Sequence, residues 1–352
     1  MRNDSRLAPL LAFLLFLVIY AVSASRYLVG ADNGEFATLS VSPGVAHPPG
    51  YPLYTMYLRA MDWLPGVSAV HSTALATALL GAVTVATLVA ALQRWSLPTA
   101  AALGAATVVG LDTQVWTLHT HAEVFALNNL IAAGILWGAA PGGTRRGIAR
   151  AATLGLLAGL GLSNHHTIVL LAPIGLYGVW LAYRESESLL ATLATAAATG
   201  LVGLLPYVYL AATARPCDDC LQWGRPDDLA SVWHVFIRAD YGTTSLGVGG
   251  ERLPLENLAA FGAHLVAGTL GVVVLLSLVG VVRWRRLHLD RAAGVVLGLS
   301  FLLAGPLFAA LFNIAPEGIG AEIVARFYAQ PHILLTPFVC AGESVGTRTA
   351  TL

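Results

Sequence analysis

Two carboxylates and a histidine stand at the mouth of the first membrane-length apolar run. Residues 32–36 read Asp-Asn-Gly-Glu-Phe, and residues 44–54 read Gly-Val-Ala-His-Pro-Pro-Gly-Tyr-Pro-Leu-Tyr. An ionisable group is costly at the edge of hydrocarbon, so one held there is a candidate for function. Asp32 and Glu35 share a face if the segment is helical. One acid then acts as general base on an acceptor hydroxyl, while the other orients it or clamps a sugar hydroxyl. The competing reading is a helix start, with Asp32 or Asn33 as cap and Glu35 in the first turn. The place at the membrane lip favours chemistry.

The string His47-Pro48-Pro49-Gly50-Tyr51-Pro52 cannot continue a helix, because proline fixes φ and lacks an N–H. It is a rigid turn that redirects the chain, and His47 within it is as much a candidate for chemistry as for structure. Tyr51 and Tyr54 are suited either to stack on a sugar or to anchor at the interface. A phosphate leaving group needs cations. All 19 basic residues are arginines, so only arginine and histidine can supply them. Arg326, in Ala325-Arg-Phe-Tyr328, is the leading candidate, with Arg59 and Arg238 behind it. Asn164, His165 and His166 form a second polar cluster at a span junction. Side chains at i and i+1 point apart on a helix, so the histidine pair is not read as a metal site, and no metal or cofactor is expected.

The elements that position these residues are apolar helices. Hydrophobic residues make up 57% of the 352-residue chain and charged residues 11%, with a mean hydropathy of +0.72. A soluble chain carries roughly 25% charged residues, so this is an integral membrane protein. The formal net charge is zero, which leaves no basic footprint for nucleic acid. A span needs about 20 apolar residues. About ten candidates appear: 7–25, 72–92, 97–111, 124–140, 151–162, 167–183, 188–214, 258–282, 292–314 and 327–341. The last is the weakest. Residues 151–162 are too few to cross fully, which hints at a cavity by the His165–His166 turn.

With the N-terminus in the cytoplasm, twelve arginines fall inside and seven outside. That orientation, in an inner or plasma membrane, gathers the unusual polar segments on the extracytoplasmic side. They lie in a first outer loop (26–71), the stretch from Asp112 to Glu123, the Ser163–His166 turn, a large outer loop (215–257) able to hold one or two short amphipathic helices, and the segment from Glu317 to Arg326. Chemistry at that face suits a lipid-borne or exported substrate. Residues 1–342 read as one domain, and 343–352 as a short tail. Cys217 and Cys220 form a lone CxxC, read as a loop disulfide because zinc would need two further ligands.

These residues carry a resemblance. Asp32-x-Gly-Glu-Phe, the Gly44–Tyr54 string, His121-Ala-Glu-Val-Phe-Ala-Leu-Asn128, Ser163-Asn-His-His-Thr167, Leu205-Pro-Tyr207, Trp223-Gly-Arg-Pro226, Asp240-Tyr-Gly242 and Arg326-Phe-Tyr328 occur in order. Together they resemble a large family of multi-pass membrane proteins, formerly of unknown function. It includes the eukaryotic O-mannosyltransferase of plexin-type IPT domains. The resemblance implies an all-α bundle of the C-type glycosyltransferase kind, with a catalytic acidic motif in the first outer loop and a sugar donor on polyprenyl phosphate. It places Asp32 and Glu35 in the acidic motif and His47 in the loop after it. Glu123 with Asn128, His165 with His166, and Arg326 then face the cavity as binding candidates.

The function expected is transfer of a hexose, mannose by resemblance, to a hydroxyl on an exported protein or glycan. The alternatives are a lipid or polysaccharide transporter, for which two related halves would be expected and no internal repeat is found, and an inactive remnant. The remnant is raised by the last residues, because relatives usually continue into further spans or an outer domain.

Overall fold

A computed structural model describes residues 4–61, 66–143, 146–214, 220–242, 253–287 and 289–344. Among them the architecture is all-helical, with a single isolated bridge between Val45 and Gln222 in place of any strand. In chain order the helices are α1 (Asp4–Ser23), α2 (Asn33–Val41), α3 (Pro52–Met61), α4 (Ala69–Arg94), α5 (Thr99–Gly110), α6 (Thr113–Thr120) and α7 (Phe125–Ala139). They continue as α8 (Ile148–Leu162), α9 (Ala172–Ser186), α10 (Leu189–Gly203), α11 (Pro206–Thr213), α12 (Leu229–Phe236), α13 (Pro254–Ala267) and α14 (Val272–Trp284). The last are α15 (Arg291–Leu302), α16 (Phe308–Ala310), α17 (Ile319–Ala325) and α18 (Ala329–Glu343).

Every span read from the sequence falls on a helix, yet fewer than ten reach full length. Among the described residues, four are long and apolar enough to cross a membrane: Ala69–Arg94, His166–Ser186, Leu189–Thr213 and Arg291–Ala310. Two further pairs would make six if each bent pair is one span. One is α13 with α14, expected as a single run but bent by 92°. Leu270 (φ +52°) and Gly271 (φ +80°) take the chain out of helical space there. Gly268 is pressed against Asp112 so closely that a β-carbon would lie 2.1 Å from Oδ2. The other is α6 with α7, bent by 117°, with Glu123 in the elbow. The chain is thus a multi-pass helical membrane protein in which several apolar helices are too short to span alone.

Amphipathic spacing decides which face is inside. Along α1, Ala8, Ala12, Phe16 and Tyr20 make a buried seam at every fourth residue, while Leu11, Val18 and Val22 are exposed, as lipid-facing residues would be. The Tyr20 hydroxyl reaches across to the Gly110 carbonyl at 2.7 Å. Helices α8 and α10 approach until a β-carbon at Gly159 would sit 2.0 Å from the Gly200 carbonyl, the close contact that small residues permit in membranes. A buried ion pair fastens α8 to α9. Arg150 meets both Glu185 oxygens, at 3.2 and 2.9 Å, and donates to the Gly138 and Ala140 carbonyls.

The weakest span of the sequence turns out to be the innermost helix. All residues of α18 from Ala329 to Gly342 are buried. Its low hydropathy comes from polar groups satisfied within the protein. Gln330 donates to the Thr167 carbonyl, and His332 pairs with the Tyr328 carbonyl and approaches Asp112 at 3.3 Å. Helix α12 is a short helix between α11 and α13, begun by an Asp228–Ser231 capping box. Cys220 is disulfide-bonded, while Cys217 and the 345–352 tail lie outside the described residues.

Tyr54 belongs to this scaffold. It is fully buried, packs edge-on to Phe36 at 5.0 Å and meets the Thr77 hydroxyl at 2.7 Å, joining α2, α3 and α4. Tyr54→Phe is expected to lower stability by about 1 kcal/mol, read as a lower unfolding temperature in detergent.

Candidate active site

Ala31, at φ +50°, turns the chain so that Asp32 stands in the cap position of α2. Its side chain makes no capping bond. Instead Oδ2 accepts from Arg326 Nη1 at 2.6 Å and lies 4.0 Å from His47 Nε2. The capping alternative therefore fails for this residue: the carboxylate is turned away from its own helix, toward a cation 294 positions along the chain.

Glu35 lies one turn on, on the same face, and is committed to His47. Oε1 accepts the His47 backbone N–H at 2.8 Å, and Oε2 meets Nδ1 at 2.5 Å. Nε2 of the same ring meets the Tyr51 hydroxyl at 3.0 Å. Burial on its own would lower the His47 imidazole. The hydrogen bond and charge of Glu35, joined by Asp32, outweigh burial and the opposing Arg326, and raise it above its ordinary value. A raised imidazole stabilises the fold fully below its unfolded value near 6.5 and loses that contribution as pH rises through the folded value. The unfolding temperature of the wild type should therefore exceed that of His47→Gln most on the acid side of 6.5, and the gap should shrink toward alkaline pH.

The turn carrying His47 is held from behind. Tyr207 donates to the Pro49 carbonyl at 3.1 Å, and the Gly50 N–H donates to the His47 carbonyl at 2.8 Å. Gly50 has φ +88° and is packed against Leu210 and Val235, a place that only glycine fits easily. Tyr51 follows at φ +42°, and its ring stacks on His165 at 5.8 Å. On the other side, Val45 exchanges backbone bonds with Leu221 and Trp223, which brings Trp223 within 6.2 Å of the His47 ring.

These residues surround a cavity of about 810 Å³. Its walls include Asp32, Glu35, His47, Tyr51, His165, His166 and Arg326 of the sequence-derived candidates. Arg238, one of the two arginines placed behind Arg326 from the sequence, also lines it, and the cavity further takes in Phe125, Trp223, Tyr241, Phe308, Ile323 and Phe327. The cavity expected beside the His165–His166 turn is present, and its walls combine an acidic corner with a large apolar surface. Of the added residues, Phe125, Trp223, Tyr241 and Phe327 sit in motifs quoted from the sequence, but no spacing rule shows that they converge.

Four candidates do not line it. Tyr54 is buried in the helix packing already described. Asn128 is fully buried, with Nδ2 directed at the Thr167 hydroxyl at 3.3 Å, and Asn164 donates to the Val124 carbonyl at 3.1 Å. Both support the wall from behind, because a buried amide must spend its donors on protein groups. Glu123 lies beneath Arg326, with Oε1 3.4 Å from Nη1, and only 5% of its side chain is exposed.

Arg326 is thus a bridge between two acids. Burial acts to lower its guanidinium, but Glu123 and Asp32 raise it, so the charge is fixed. Asp32, Glu35 and His47 offer ligand atoms within 4.8 Å of one another, a spacing a metal ion can span. Here Glu35 and His47 Nδ1 are bonded to each other and Asp32 to Arg326, so an ion would have to replace all of these contacts.

Residues 32–189 match the family described as the protein O-mannosyl-transferase TMEM260 N-terminal domain. The chain is similar to protein O-mannosyl-transferase TMEM260 of Mus musculus, 32% identical over 70% of this chain and 36% of the relative. It is also similar to protein O-mannosyl-transferase tmem260 of Dictyostelium discoideum, 24% identical over 93% of this chain and 43% of the relative. The chain spans less than half the length of either. No solved structure matches it. The family match begins at Asp32 and takes in Glu35, His47, Tyr51, Glu123, His165 and His166.

Proposed function

Given that the chain belongs to the O-mannosyltransferase family of the TMEM260 N-terminal domain, we propose that it transfers a hexose, mannose by kinship, from a polyprenyl-phosphate donor to a hydroxyl of an exported protein or glycan. The one observation that carries this reading is the cavity. An acid pair stands in one corner of a space whose other walls, Val169, Leu170, Phe308, Ile314 and Ile323, are the apolar surface a lipid-linked substrate needs. The bundle is read as a C-type glycosyltransferase arrangement with a cytoplasmic N-terminus and the cavity on the extracytoplasmic side of the inner or plasma membrane.

In this reading Asp32 accepts the proton of the acceptor hydroxyl. The freed oxygen attacks the anomeric carbon from the side opposite the phosphate. The bond from carbon to phosphate oxygen breaks, its electron pair leaves with the phosphate, and the sugar is inverted. Glu35 acts through His47, which it holds at the backbone N–H and at Nδ1 of the ring. A proton-accepting side chain in such a position is worth about 10²–10⁴ in rate. The developing phosphate charge is met by cavity cations in a poorly hydrated space, where fixed charges act strongly.

Membranes containing the full chain, given a polyprenyl phosphate carrying labelled mannose and a hydroxyl acceptor, should lose label from the lipid fraction to the acceptor. Label that crosses the bilayer still attached to the lipid would instead identify a transporter.

A further inference from the structure

The cavity holds two arginines, and they are not equivalent. Arg326 is engaged by Asp32 and Glu123, two acids for one cation. Arg238 also lines the cavity and pairs with no carboxylate among the described residues. It follows α12 in the left-handed region, at φ +54°, and its guanidinium lies over the Tyr241 ring at 5.6 Å. Two residues earlier, Phe236 packs against the His166 ring at 4.9 Å, which sets His166 and Arg238 on one side of the space. Among the described residues, Nε2 of His166 is shielded from solvent and has no hydrogen-bond partner. The charge of Arg238 is felt inside: burial and Asp32 raise the Tyr51 phenol, and Arg238 opposes them ahead of Arg326. The cavity is therefore polarised, with three acids gathered around Arg326 and His47 at one end and, among the described residues, an arginine without a carboxylate partner and an unpartnered imidazole nitrogen at the other.

We infer that Arg238 and His166 form the subsite for the phosphate of the lipid donor, and that Arg326 does not. The inference rests on the donor reading above and adds the direction in which the donor lies. A guanidinium offers paired N–H donors to phosphate oxygens, and an imidazole N–H adds a third. With phosphate at that end, the sugar extends toward Asp32 and the prenyl chain along Phe308, Ile314 and Ile323. A hydrogen-bonded charge of this kind is worth about tenfold or more in affinity.

The test uses the full chain in lipid nanodiscs, with sugar-free short-chain polyprenyl phosphate, the uncharged polyprenol and inorganic phosphate as separate probes. Arg238→Gln should weaken polyprenyl phosphate by about tenfold or more, and Arg238→Lys by less, while polyprenol binds all three proteins alike. His166→Ala should weaken the phosphate lipid without altering polyprenol. Wild-type protein that binds polyprenyl phosphate, with Arg238→Gln binding it as tightly, overturns the subsite and leaves the donor reading in place. Wild-type protein that fails to bind it overturns both. Binding of inorganic phosphate alone, with no preference for the lipid, would mark a free-phosphate site and also overturns the inference. Both Arg238 variants change a partly exposed loop residue, and unchanged unfolding temperatures confirm that they are folded.

Discussion

Asp32→Asn should lower sugar transfer by about 10²–10⁴ while leaving the protein folded and its affinity for the lipid donor nearly intact. Asparagine keeps the shape of the side chain, and its carbonyl oxygen can still accept from Arg326, now 2.6 Å from Oδ2. What it loses is the ability to take a proton. The effect belongs in the rate of transfer rather than in donor binding, since the carboxylate's contacts with Arg326 and His47 involve Oδ2 and neither residue is assigned to the phosphate. Glu35→Gln makes a useful contrast. A glutamine oxygen still accepts the His47 backbone N–H, so the turn is kept, but the charge that raises the imidazole is gone. Its rate should fall less than that of Asp32→Asn. Undiminished transfer by well-folded Asp32→Asn would remove the proposed base.

The sequence makes the acid pair legible because of where it lies. A carboxylate beside an apolar run has few structural reasons to be there, and Asp32 indeed leaves its capping bond unmade to face the cavity. The role of Glu35 is less legible. Its spacing from Asp32 suggested a shared substrate, whereas its contacts go to His47, twelve residues on, through a proline turn whose path no local rule dictates. Asn128 and Asn164 show the converse. Polar residues in apolar helices signal a cavity only when they face one, and these two satisfy buried backbone and hydroxyl groups behind it. Helix α18 is the weakest apolar run for the same reason, since Gln330 and His332 lower its hydropathy while bonding inside the bundle. Arg238 was visible only as one arginine among several. Its distinction, the lack of an acid partner, is a property of three-dimensional arrangement.

Arg326→Gln is the second large expected effect, and it is an effect on the fold before it is one on chemistry. Removing the guanidinium leaves Asp32 and the deeply buried Glu123 without their shared cation, and Oε2 of Glu123 already has no partner among the described residues. Breaking a buried pair from one side typically costs about 3–5 kcal/mol, because a charge is left in a poorly solvated place. The unfolding free energy should fall by that order. Glu123→Gln added to Arg326→Gln should recover part of the loss, since the stranded charge is then gone. Arg326→Lys should fall between: Nη1 alone contacts both acids, so one ammonium can carry the bridge, but an ammonium is more strongly hydrated and is less favourable than a guanidinium in a buried pair. The cycle built from these variants separates two roles for the residue. If Arg326 chiefly bridges the acids, the coupling between positions 326 and 123 is large and donor affinity in the recovered double variant is close to that of the wild type. A residue that chiefly held the phosphate would show the opposite pattern: small coupling, an unchanged unfolding temperature and a large loss of donor affinity. The geometry, with Nη1 at 2.6 Å and 3.4 Å from the two acids, favours the first outcome.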